Sequence, residues 1–131
     1  MKNRKLSLLL NEFVQLNQGG NLKLEANDAL VCQFGARQIK IEDGARLGLD
    51  GQMVLVTELT SSSLSAEQAL KLNADFRLTA DGYIARIADQ GYDYLRTITL
   101  PEHPQELLRL LNEFVAQATL LDNEIVHHVA D

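Results

Sequence analysis

Tryptophan is absent from this chain of 131 residues, cysteine occurs once and proline twice. Four Phe and three Tyr are the only aromatic residues, so Leu, Ile and Val must make the core. The single thiol, Cys32, excludes an internal disulfide and suits a reducing compartment. No run of about 18 consecutive apolar residues occurs, so no membrane insertion is expected. The opening Met1-Lys2-Asn3-Arg4-Lys5 is basic and leads into an apolar stretch. Asn11, Glu12, Gln15 and Asn17 interrupt that stretch and no small-residue cleavage site follows, which is not the pattern of a signal peptide. The expected location is the cytoplasm. Positive charge is scarce: 12 Lys and Arg stand against 18 Asp and Glu, for a net charge of -6. Lys2, Arg4 and Lys5 form the only basic cluster, read as a solvated helix start. An acidic surface repels nucleic-acid backbone, so no nucleic-acid partner is expected.

Catalytic signatures are missing too. No Walker, Rossmann, nucleophile-elbow or kinase pattern is present. Gly19-Gly20 follows a helical pattern instead of opening one, which makes it a poor phosphate cradle. His127 and His128 are adjacent, so on a helix they point about 100° apart and cannot chelate one ion as a facing pair. His103 lies beside Glu102, ahead of the last helix. Zinc needs three or four convergent ligands, which this spacing does not supply. Cys32 alternates with Leu30 and Phe34, as a buried thiol acting as a small hydrophobe would. The carboxylates fall mostly in turns or on polar faces. The reading is a non-enzyme with no catalytic residue, no metal and no cofactor.

What is present is a hydrophobic fraction of 46% and a charged fraction of 23%, ordinary for a globular chain, with no internal repeat and no linker. One domain over residues 1–131 is expected. Leu6, Leu9, Leu10, Phe13 and Val14 share one face of a helix from about Arg4 to Leu16, and Gln18-Gly19-Gly20-Asn21 stops it. Leu8 and Leu16 fall off that stripe. Leu30-Val31-Cys32-Gln33-Phe34, Gln38-Ile39-Lys40-Ile41-Glu42 and Met53-Val54-Leu55-Val56-Thr57 read as strands, with Leu47 and Leu49 alternating between two turn dipeptides. Ser65-Ala66-Glu67-Gln68 is a capping box opening a short helix to about Asn73, with Leu70 expected to point inward. Phe76–Thr79, Tyr83–Ala88 and Tyr92–Leu100 read as further strands. Pro101 closes the sheet, and Leu107, Leu111, Phe114, Ala118 and Leu121 mark a long closing helix. The fold class is α+β: helix, strands, short helix, strands, helix, with a twisted antiparallel sheet flanked by helices.

That order resembles the class I type III secretion chaperones, also called the Tir chaperone family. The likeness runs from about Leu6 to Ile125. Leu22 to Phe34 resembles the family's entry into its first strands, and Ala69-Leu70-Lys71-Leu72-Asn73 its short helix. Tyr83-Ile84-Ala85-Arg86-Ile87, then Tyr92-Asp93-Tyr94-Leu95 and Leu100-Pro101, resemble its late strands, and Leu107 to Val115 its closing helix. Many members carry a Trp late in that helix, where this chain has Thr119-Leu120-Leu121. The resemblance implies a homodimer that holds the amino-terminal segment of a secreted effector, largely extended and export-competent, in the service of virulence, with the export ATPase as a further partner. It implies effector contacts at Leu8, Phe13, Leu16, Val31, Gln33 and Ile39. It implies a dimer interface at Leu70, Tyr92, Tyr94, Arg96 and Ile98. The competing function is another non-enzymatic binding module, such as a toxin-immunity protein or a regulator with the same fold.

Overall fold

A computed structural model of the chain describes residues 4–16, 22–24, 30–34, 36–60, 64–86 and 91–129, without the side chains of 4, 16, 22–24, 46 and 127–129. The expected helix stop at Gln18–Asn21, the turn at Asp89-Gln90 and the side chains of Leu16, His127 and His128 lie outside the described residues. Helix α1 spans Arg4–Leu16. Strands β1 (Leu22–Leu24), β2 (Leu30–Phe34), β3 (Arg37–Asp43) and β4 (Gln52–Glu58) follow. Next come α2 (Ala66–Asn73), α3 (Phe76–Thr79), β5 (Gly82–Ala85), β6 (Asp93–Thr99) and α4 (Pro104–Val129).

The six strands form one antiparallel sheet in the order β1-β2-β3-β4-β6-β5. Register decides what each face carries, because side chains alternate along a strand. Ile39 stands opposite Cys32 and Thr57, Ile41 opposite Leu30 and Leu55, and Tyr94 opposite Thr57 and Ile84. All are buried, and all but Thr57 belong to one cluster with Leu6, Leu9, Leu10 and Phe13 of α1. Leu107, Leu111, Phe114, Ala118, Leu121 and Ile125 of α4 complete it. Val54 and Leu95, one residue out of phase, are also buried but lie outside that cluster, on the sheet's second face.

Three local expectations are corrected. Phe76–Thr79 is a helical turn, not a strand: the Asp75 carboxylate accepts from the Arg77 amide at 3.2 Å and the Thr79 hydroxyl donates to the Asp75 carbonyl at 3.2 Å. An N-cap so well formed starts a helix even over a β-prone sequence. Gly44–Leu47 is a 3-10 turn, started by the Asp43 carboxylate on the Ala45 amide at 3.0 Å and ended by Gly48 at φ 78°. Leu70 points outward; Ala69 takes the inward position on α2. The late strands are also shorter than read, ending at Ala85 and starting at Asp93. The capping box stands as expected, with the Gln68 amide on Ser65 Oγ at 3.1 Å and the Ser65 amide on Gln68 Oε1 at 2.8 Å.

Two polar arrangements fix α4 against the sheet. Arg37, at the start of β3, forms a buried ion pair with Asp122 of α4 and also donates to the Glu58 carbonyl at 3.0 Å and to Thr57 Oγ1 at 3.3 Å. Asp122 accepts a second bond from the Thr60 amide at 2.9 Å. Further along, Tyr94 stacks on Phe114 with ring centroids 5.1 Å apart, and its hydroxyl donates to the Thr79 carbonyl at 2.6 Å. A Cβ at Gly82 would lie 2.7 Å from the Tyr94 ring and 2.4 Å from the Leu95 carbonyl oxygen, so β5 must carry glycine there for the tyrosine to fit.

Breaking one half of a buried pair leaves an uncompensated charge, whereas replacing both halves with apolar groups does not. Arg37→Met should therefore lower unfolding free energy by about 3–5 kcal/mol. The double change Arg37→Met with Asp122→Leu should recover a large part of that loss. Urea denaturation of the three proteins checks both expectations.

Candidate functional site

The implied effector contacts divide by burial. Leu8 lies on the outer face of α1 with 61% of its surface exposed, because Leu6, Leu9, Leu10 and Phe13 already occupy the inner face. Val31 and Gln33 are half-buried on β2 and point to the sheet's second face, out of phase with Leu30 and Cys32. Phe13 and Ile39 are corrected: both are fully buried in the helix–sheet cluster and present nothing to a partner. Phe13 belongs to the stripe that seats α1, and Ile39 shares its face with Ile41.

The implied dimer contacts divide in the same way. Leu70 stands on α2 with 71% of its surface exposed. Tyr92 and Ile98 are half-buried and pack against the main cluster. Tyr94 and Arg96 point inward, toward α4, and are corrected as interface residues. Arg96 is 8% exposed, and its guanidinium lies 5.8 Å from the centre of the Phe114 ring and donates to the Tyr94 hydroxyl at 3.1 Å. A cation over an aromatic face can be held inside without a carboxylate, since guanidinium is weakly hydrated. Its Nε is buried without a hydrogen-bond partner, a cost the site carries. Burial pushes the Tyr94 hydroxyl above its ordinary pKa, against the Arg96 charge, which acts the other way.

Sequence reasoning missed the exposed aromatic of α3. Phe76 is 77% exposed, six residues past Leu70, and Tyr83 of β5 is exposed as well. The signal was Asp75, whose capping role turns the following segment into a helix and swings Phe76 outward. Arg77 holds the Asp75 carboxyl below the usual range, chiefly through a side-chain hydrogen bond.

Two sheet edges frame these surfaces. The β5 edge is closed at Ile84, where the Asn73 side chain donates to the Ile84 carbonyl at 2.9 Å and accepts from its amide at 2.7 Å, as a neighbouring strand would. The β1 edge ends the sheet with no further strand among the described residues. Such an edge is a template for an added strand.

Cys32 is fully buried, and burial alone pushes its thiol up to about 12. Among the described residues no three His, Cys, Asp or Glu side chains converge as metal ligands. No described helix is long and apolar enough to cross a membrane.

No family model and no curated protein matches the sequence. Among solved structures, the chain superposes with a TM-score of 0.67 on a chain of the HopA1–SchA chaperone–effector complex. The superposition covers 94% of this chain and 98% of that one at 14% sequence identity. The chain shares its fold with that chain of the chaperone–effector complex. At this identity the likeness lies in the order and packing of elements, which is what the hydrophobic pattern of the sequence encodes.

Substitutions separate surface from core. Leu8→Asp should change unfolding free energy by no more than about 0.5 kcal/mol. Phe13→Ala should cost about 3–5 kcal/mol and Ile39→Ala about 2–5 kcal/mol. Chemical denaturation measures all three, and a large loss for Leu8→Asp would place that residue in the core.

Proposed function

We propose that this protein is a cytoplasmic type III secretion chaperone, formed by the whole chain as one domain, that binds the amino-terminal region of a secreted effector and keeps it soluble and export-competent. The observation that carries the reading is the superposition over 94% of the chain on a chain of a chaperone–effector complex. The local structure supplies the means. The β1 edge, beyond which no strand lies among the described residues, can take a main-chain partner, and the outer face of α1 offers Leu8 to its side chains. Binding of this kind requires no catalytic group.

The protein acts as a homodimer in this proposal, with Leu70 and the newly recognised Phe76 and Tyr83 at the subunit contact. Three exposed apolar residues on α2, α3 and β5 form a surface that a free protomer would keep wet at a cost of roughly 1.5–3 kcal/mol for each large side chain. A stable contact needs more than about 1,000 Å² in total, which requires the neighbouring second face of the sheet as well. The export ATPase is the partner that would receive the loaded dimer.

Light scattering at micromolar concentration should give the mass of two chains. The double change Leu70→Asp with Phe76→Asp should give a folded monomer. Co-expression with the amino-terminal segment of the secreted protein encoded beside it should keep that segment soluble. Leu8→Asp should weaken the complex about ten- to a hundredfold. A wild-type monomer that leaves the segment insoluble would refute the reading. Binding only to a folded toxin, with strong salt dependence, would favour an immunity protein.

A further inference from the structure

At one end of the sheet, the tip of the β2–β3 hairpin, the end of β4, the start of β6 and the middle of α4 enclose an open groove of about 680 Å³. Its apolar wall comes from Phe34, Val56, Leu59 and Val115. Four charged side chains besides these line it, namely Arg37, Lys40, Glu58 and Asp93. The two cations are occupied within the chain: Arg37 pairs with Asp122, and Lys40 with Glu42 at 3.3 Å. Glu58 and Asp93 form no ion pair among the described residues. They also stand directly opposite each other across the β4–β6 ladder.

Like charges at opposed positions of an antiparallel pair destabilise it. The strain is visible at Asp93, whose carboxyl is held above the ordinary range first by burial and then by the Glu58 charge. Among the described residues no partner relieves it, whereas Arg37 and Lys40 are matched within the chain. A cation delivered by a ligand would do so, and the apolar wall beside it asks for a bulky aliphatic or aromatic group on the same ligand. An extended peptide presents both from neighbouring residues.

We propose that this groove receives one dipeptide of the bound partner, a large apolar residue beside a Lys or Arg, with the apolar side chain against Phe34, Val56, Leu59 and Val115 and the cation between Glu58 and Asp93. The inference rests on the chaperone reading, and adds to it a sequence preference in the held segment. It makes the acidic charge of this end of the sheet a recognition feature distinct from the apolar contact at Leu8.

The probe is the capped hexapeptide Ser-Gln-Leu-Arg-Ser-Gln, titrated into the full-length isotope-labelled protein and followed by amide chemical shifts. The expected result is saturable shifts centred on Val56, Glu58, Leu59 and Asp93. Replacing Arg by Glu, or Leu by Ser, in the peptide should abolish them. Glu58→Gln with Asp93→Asn should weaken binding about three- to tenfold, the range open to two part-exposed ion pairs. The same variant should be at least as stable as the wild type without peptide, which shows that lost binding is not lost folding. Equal binding of the Arg and Glu peptides, shifts confined to other surfaces, or no shifts at all would overturn the proposal. Retention of a co-expressed secreted segment, measured separately, would then still uphold the chaperone reading, whereas loss of both would remove it as well.

Discussion

Seating α4 on the sheet is the contact on which the rest of the molecule depends. Its stripe from Leu107 to Ile125 closes the cluster that the sheet and α1 begin. Apolar packing alone would let the helix slide, because one leucine resembles another. The Arg37–Asp122 pair and the Tyr94–Phe114 stack give the contact a register, one at each part of the helix. Both have consequences beyond α4. Asp122 also holds the Thr60 amide past the end of β4, and Tyr94 reaches the Thr79 carbonyl and so ties down α3.

With the helices committed to one face, the remaining surfaces are what a partner can meet. Leu8, Leu70 and Phe76 are exposed because the inner positions of α1, α2 and α3 are already filled by other side chains. Asn73 closes the β5 edge, and beyond β1 no further strand follows among the described residues. Three surfaces stand apart in the described residues: the β1 edge, the apolar outer face of α1 at Leu8, and the outward side chains of Leu70 and Phe76 on α2 and α3. In the proposed function they would serve main chain, side chains and a second copy respectively.

Much of this was legible in the sequence because it depends on periodicity. The helical stripes of α1 and α4, the alternation in β2 and β3, and the capping box of α2 each specify an element locally. Failures came where charge or a single cap overrode pattern. Arg96 was expected at a subunit contact, yet an aromatic face on α4, distant in sequence, makes its burial tolerable. Phe76–Thr79 read as a strand by composition, and one carboxylate at Asp75 made it a helix. Phe13 and Ile39 were assigned to a partner although their own periodicity placed them with core residues. The like-charge pair Glu58–Asp93 could not be found without register, since the two residues are brought together only by β4–β6 pairing.

In the proposed function this protein holds a segment of another chain in an extended, non-globular state. Backbone hydrogen exchange of the bound secreted segment, read by mass spectrometry, tests this most directly. Protection is expected only in a short stretch paired with the β1 edge and at anchors on α1, with rapid exchange elsewhere and no cooperative unfolding of the segment by itself. A bound partner with a continuous, cooperatively protected core would contradict it, because such a partner is folded before it is held.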